Sequence, residues 1–299
     1  MQQLIINADD FGQAPGINLA IAELYDAGAL TSATLMANGA AFEEAMALAK
    51  QRPGLGVGCH VVLLDGNPVL SPEMVPSLLG SDRLTFRPTL SLFVRDLAMG
   101  RIREEDIERE AVAQIRKLQQ ADLQVTHVDT HKHMHAFSRV RRPLLRAMEA
   151  CGLDCLRNPF EEEWSMRLSA APWLRQFQTR AMRYRSGRSF WNDAVAHTMA
   201  APDACIGIAA TGTLHSVTIE RWLEVLPEGI WEIACHPGYR DTVLASQRTR
   251  LQSEREIELR ALLETLPRIL RQRRDIQPMH FGNLAAARVQ RDGFSHSTC

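Results

Sequence analysis

The sequence predicts an α/β protein built as a deformed (β/α) barrel of the TIM type, with seven or eight strands. Three observations predict it. Short apolar runs alternate with longer helical patterns along 299 residues, the order that gives parallel strands joined by helices. No Gly-x-Gly-x-x-Gly follows the first apolar run, which argues against an open dinucleotide-binding sheet. Ionisable residues recur where strands are expected to end, the face on which a barrel gathers its chemistry.

The elements follow in order. "LIINA" (4–8) is the first strand, with a helix over 16–26; "TSATLMA" (31–37) is the second, with a helix over 41–51. "GLGVGCHVVL" (54–63) is the third, and the Pro-, Ser- and Gly-rich stretch through residue 90 reads as a long loop suited to a lid or a substrate contact. Residues 103–121 have helical periodicity, with Ile107, Ala111, Ile115 and Leu118 on one face. They lead into the fourth strand, "QVTHVDTH" (124–131). "DCLRNP" (154–159), after a helix over 140–151, is the fifth; "ACIGIAA" (204–210) the sixth; and "GIWEIACHPG" (229–238), after a helix over 217–226, the seventh. A long helix near 248–274 precedes a weak eighth, "QPMHFG". A single domain over 1–299 results, with insertions near 65–90 and 164–191.

Composition excludes several classes. Lys and Arg number 34 against 35 Asp and Glu, so the net charge of −1 gives no global attraction to nucleic acid or to an anionic membrane. The six cysteines form no Cys-x-x-Cys pair and read as buried reduced thiols. No apolar run reaches the length of a membrane span, and the first strand begins without the basic and apolar regions of a signal peptide. A soluble, cytoplasmic protein is the expectation.

Four of the ten histidines fall in "THVDTHKHMH" (126–135). Strand alternation puts His127, Asp129 and His131 on one face, toward the barrel axis. Asp9 and Asp10 end the first strand, His60 lies on the third, Arg157 on the fifth and His236 on the seventh. Asp10, His60 and His131 supply the His and carboxylate donors of a hydrolytic divalent-metal site. An aspartate here could alternatively cap the helix that follows. Cys59 and Cys235 each precede an inward histidine, so their thiols should point into the helix layer. His127 reads as a hydrogen-bonded interior residue, and His133 and His135 as neighbours of the ligands rather than ligands. His197, His215, His280 and His296 lack a supporting constellation.

The ordered motifs "LIINADDFG", "GALTSATLMANG", "GVGCHVVL", "THVDTHKHMH", "LRNPF" and "CHPGY" resemble the YdjC-like carbohydrate deacetylases, a family that includes chito-oligosaccharide deacetylases and deacetylases associated with hopanoid biosynthesis. The resemblance spans residue 4 to about 240. It implies a barrel related to polysaccharide deacetylases and one divalent ion, Mg2+ or Zn2+, on Asp10, His60 and His131. It further implies Asp9 as general base, His236 as general acid and Arg157 as the holder of the base. The implied reaction removes acetyl from an N-acetylated sugar or glycolipid, releasing acetate and a free amine. Another barrel metallohydrolase, a phosphoesterase or amidohydrolase, and a non-catalytic sugar-binding barrel are the competing readings.

The stretch 173–191 carries five arginines, several aromatics and no acid. A barrel helix with a solvated basic face accounts for it. The sharper reading is a flap beside the site that engages an anionic or lipid-linked sugar. Nucleic acid is not an expected partner, while peripheral membrane contact and a homo-oligomer stay open.

Overall fold

The structure, a computed structural model, describes residues 2–295. Strand β1 (Gln2–Phe11) is buried along all but its first two residues and runs through the centre of the sheet. Helix α1 (Pro15–Asp26) follows, with its proline in the first turn, where a missing N–H is harmless. Next come β2 (Ser32–Leu35), α2 (Phe42–Lys50) and β3 (Gly56–Val61). Helix α3 (Leu90–Ala98) is capped by the Thr89 hydroxyl, which accepts from Leu92 N. Helix α4 (Glu104–Gln120) opens on three acids, favourably placed at the positive end of the helix dipole. Strand β4 (Val128–Thr130) runs into a 3-10 segment, His131–Ala136, and then α5 (Ser138–Ala150). The chain continues through α6 (Glu163–Leu168), α7 (Trp173–Ala196), β5 (Ala204–Ile206), α8 (Ser216–Glu224) and β6 (Gly229–Cys235). It ends with α9 (Thr242–Ser246), α10 (Glu254–Gln272), β7 (Ile276–Pro278) and α11 (Leu284–Ser295).

Among the described residues seven strands form one parallel sheet, six in the order β4-β3-β2-β1-β6-β5 and β7 off this path against β1, curled into a half-barrel. One edge of β1 pairs with β6 from Gln2 to Ala8; the other is shared, with β7 against Gln2–Leu4 and β2 from Asn7 onward. The gap between β4 and β5 is spanned by the extended segment 154–160. Its backbone bonds to Val128 on one side, and to Ala200 and Cys205 on the other. Apolar residues of β1 to β3 pack outward against α1, α2, α4 and α5 in one continuous core. The inward side is polar: Asn7, Asp9, His60, His127, Asp129, Arg157 and Glu232 are all buried there.

Several elements differ from the sequence reading. The fifth strand is not a regular strand but extended chain joined by isolated bridges at Cys155 and Leu156, and Pro159 has no N–H with which to extend a ladder. The fourth and sixth are three residues each, shorter than their apolar runs. The last long helix starts at Glu254 rather than near 248, so 247–251 is loop. The stretch 65–90 contains two 3-10 turns, and α3 follows it unforeseen. The 164–191 insertion is helical and extends to Ala196. The five described cysteines are buried and unpaired; Cys299 and His296 lie outside the described residues.

Candidate active site

In a regular strand Asp9 and Asp10 would face opposite sides of the sheet. A register shift against β2 between Ala8 and Phe11, with Asp10 at φ 67°, turns both carboxylates into the same cleft. Aspartate tolerates this left-handed conformation better than most residues. The strand end is thus a bulge that re-aims a side chain, which a helix cap would not require; no side-chain cap is made at the start of α1.

Asp10 Oδ1 lies 3.5 Å from His60 Nε2 and 3.3 Å from His131 Nδ1, and the two ring nitrogens are 3.3 Å apart. Donors on bonds of about 2.1 Å at tetrahedral angles sit about 3.4 Å from one another, so this set fits a divalent cation. The other Asp10 oxygen accepts from Arg255 Nη2 at 2.6 Å, which fixes the carboxylate and leaves Oδ1 for a ligand. The β3–β4 register sets His60 beside Asp129, and His60 Nδ1 bonds Asp129 Oδ1 at 2.7 Å. That contact orients the ring with Nε2 toward the other two donors, as carboxylate partners of metal-binding histidines do. Burial disfavours the His60 cation, but Asp129, together with Asp9 and Asp10, outweighs it and raises the imidazole to about 9.

A second acid and histidine group, Asp9, His60 and Asp129, also brings its ligand atoms within 4.8 Å of one another. Its carboxylates are already engaged by Arg157. The guanidinium pairs with Asp9 at 2.6 Å, Asp129 at 2.5 Å and Glu232 at 2.6 Å, all with buried side chains. Burial raises the Asp9 carboxyl, yet Arg157 more than compensates and holds it well below the usual carboxylate range. Glu232 goes the other way: burial prevails over Arg157 and lifts it to about 7. Its Oε2 has no hydrogen-bond partner among the described residues.

His236, at the end of β6, places Nε2 3.7 Å from Asp9 Oδ2, and its backbone N–H donates to Glu258. Nδ1 of His236 and Nδ1 of His133 are buried without hydrogen-bond partners among the described residues. His133 follows Lys132 in left-handed backbone, φ 52° after 56°, and lines the same cleft. Burial, with Arg157 adding repulsion, drops its imidazole to about 3. His135 points away: Nε2 lies 3.1 Å from the Arg157 carbonyl and Nδ1 2.7 Å from Thr130 Oγ1, so the neutral ring donates from Nε2 and accepts at Nδ1. His127 stacks on Phe281 at 3.8 Å beneath the site and meets Asn7 Oδ1.

The sequence-predicted residues Asp9, Asp10, His60, Asp129, His131, Arg157 and His236 therefore meet in one place, with His127 and His135 behind them. Glu232 and Arg255 were missed. A lone carboxylate inside the apolar run "GIWEIAC" could have flagged Glu232. Arg255 sits among many charges on a helix and carries no such signal.

Asp9, Asp10, His60, His131, His133, His236 and Arg255 line the floor of a cleft of about 1300 Å³. Asp65, Gly66, Thr85, Phe86, Pro88, Thr89 and Leu90 line it from the first insertion, Arg175, Gln178, Thr179 and Met182 from α7, and 247–251 from the loop before α10. Arg175 and Arg250 both bond the Thr211 carbonyl there.

The pattern of the family described as YdjC-like protein matches residues 3–270. A carbohydrate deacetylase of Brevibacillus brevis is 43% identical over 147 residues, 49% of this chain and 56% of that protein. One of Geobacillus stearothermophilus is 43% identical over 136 residues, 46% of this chain and 51% of the relative. The chain spans about half the length of the curated relatives it matches. A crystal structure from Enterococcus faecalis, described as a candidate cellobiose-phosphate cleavage protein, superposes with a TM-score of 0.76 at 26% identity over 95% of this chain and 98% of that one. A lactam utilization protein of Thermus thermophilus, with a TM-score of 0.50 at 15% identity, over 93% of this chain and 99% of that one, shares the fold.

Proposed function

The chain belongs to the YdjC-like family, and from that premise we propose that it hydrolyses the acetamido group of an N-acetylated sugar, with water as co-substrate and acetate and a free amino sugar as products. The observation that carries this reading is the convergence of Asp10 Oδ1, His60 Nε2 and His131 Nδ1 on one point at the cleft floor. Deacetylase relatives support the substrate class. Asp10, His60 and His131 would hold a divalent cation such as Zn2+ or Mg2+. When bound, it supplies Lewis acidity that acidifies water and polarises the acetyl carbonyl.

The chain's own residues do the rest. Asp9 stays ionised at working pH, because Arg157 holds it so. It accepts the proton of the attacking water, and its basicity is low enough that the water must itself be made acidic. Asp129 keeps His60 in one ring orientation, and Arg255 does the same for Asp10. His236, on the cleft side of Asp9, delivers a proton to the departing nitrogen so that it leaves as an amine. The insertions at 65–90 and 164–191 flank the cleft and select the sugar.

The test is acetate release from a panel of N-acetylated glucosamine oligomers, before chelation, after it, and after adding back Zn2+ or Mg2+. Turnover should disappear on chelation and return with the ion. Acetate release that survives complete chelation, or no release from any member of the panel under metal-replete conditions, would refute the reading.

A further inference from the structure

Helix α7 contributes Arg175, Gln178, Thr179 and Met182 to the cleft wall. Its opposite face is largely uncovered among the described residues, where only Trp191 is held, edge-on to Phe190 and beneath the Arg288 guanidinium. Trp173, Phe177, Tyr184, Trp191 and Val195 recur at intervals of four, seven, seven and four residues, which places them on one stripe of a 3.6-residue helix. Trp173 is 77%, Phe177 61% and Tyr184 92% exposed. A soluble helix normally buries such a stripe. Here only Thr179, Phe190 and Ala194 of the 24 residues are buried.

Charge sorts with the same face. No acid occurs from 164 to 192. Arg180 and Arg183 are paired with Glu163 and Glu162, and Arg141 takes Asp193. Arg185 and Arg188, exposed beside the aromatic stripe, have no carboxylate partner among the described residues. Aromatic rings flanked by unpaired arginines on one helix face are the chemistry of an anionic lipid interface, where rings enter the headgroup boundary and guanidinium groups meet phosphate.

We infer that the outer face of α7 docks this protein on an anionic lipid surface, with Trp173, Phe177 and Tyr184 inserted and Arg185 and Arg188 on the headgroups. A second copy of the chain fits the face less well, since self-pairing would bring Arg185 and Arg188 against their own like charges. The helix that lies on the surface is also a wall of the cleft, so docking puts the site next to sugars displayed on that surface. Binding itself does not depend on the proposed hydrolysis, and vesicle binding is measured without substrate.

The experiment is flotation of the full chain with phosphatidylcholine vesicles, with and without about 30% phosphatidylglycerol, at low salt and then at high salt. The protein should float with the anionic vesicles, with a blue shift of tryptophan emission, and be released by salt. Phe177→Ala with Tyr184→Ala, and separately Arg185→Gln with Arg188→Gln, should each lower the bound fraction about tenfold. All four side chains are exposed, so both variants should keep the wild-type circular dichroism. Equal recovery with neutral and anionic vesicles, or unchanged binding by both variants, would overturn the inference. So would a dimer in light scattering that the Phe177→Ala, Tyr184→Ala variant splits, since the face would then belong to a second copy.

Discussion

Arg157 faces Asp9, Asp129 and Glu232, and one guanidinium cannot neutralise three buried carboxylates. The structure resolves the excess at Glu232, whose carboxyl burial lifts to about 7. Between its ordinary value and about 7 the folded chain keeps a proton that the unfolded chain has released. Stability attributable to this group therefore falls as pH rises through that window. Glu232→Gln mimics the protonated form, so it should gain stability relative to the parent between pH 5 and pH 8, as read from urea midpoints at several pH values. A loss that grows with pH would show that Glu232 is needed as an anion. Arg157→Met is the opposite case. It strands buried charges and should cost roughly 3–5 kcal/mol, whereas Arg157→Lys keeps the charge but not the fork that reaches several carboxylates at once. If Arg157→Met unfolds at the wild-type urea concentration, the network is not structural.

At the scale of the element, the site depends on how closely β3 approaches the ring of His127. A Cβ on Gly58 would lie 2.4–2.7 Å from that imidazole, which is itself pinned against Phe281. Gly58→Ala should therefore cost about 1–3 kcal/mol through overpacking. It should also disturb His60 two residues on; thermal melts and turnover measured together check this, and a neutral effect on both would mean the ring has room to move. Much of this was legible in the sequence. The β/α alternation placed β1 to β3 and β6, because each is an apolar run bounded by turn residues. Period-two alternation put His127, Asp129 and His131 on one side. The bulge that brings Asp9 and Asp10 to the same side was not legible, since nothing in "NADDFG" distinguishes a register shift from a regular strand end. Residues 154–159 read as a strand because their composition suits one, while only tertiary pairing decides whether a ladder forms. The start of α10 was misplaced for a related reason: residues 247–251 could continue a helix but line the cleft instead.

At the scale of the molecule, the question is whether the fold needs the ion it is proposed to hold. Each donor is anchored by protein: Asp10 by Arg255, His60 by Asp129, and His131 by its place where β4 turns into the 3-10 segment. The sheet and its outer helices enclose a continuous apolar core that does not pass through the site. Chelated protein should therefore stay folded and melt cooperatively, unlike small metal-dependent domains that unfold without metal. Adding Zn2+ or Mg2+ should then raise Tm by mass action. At an ion concentration about 100 times Kd the gain is about 2.7 kcal/mol, which for a chain of this size is on the order of 4 °C. His60→Ala removes a donor while leaving the core intact, so it should abolish the ion-dependent shift without preventing folding. Binding should saturate at one ion per chain, because the second acid and histidine group has its carboxylates committed to Arg157. A chelated protein that lacks a cooperative melt would mean that the ion organises the fold. A Tm indifferent to both ions would mean that the three donors converge for another reason.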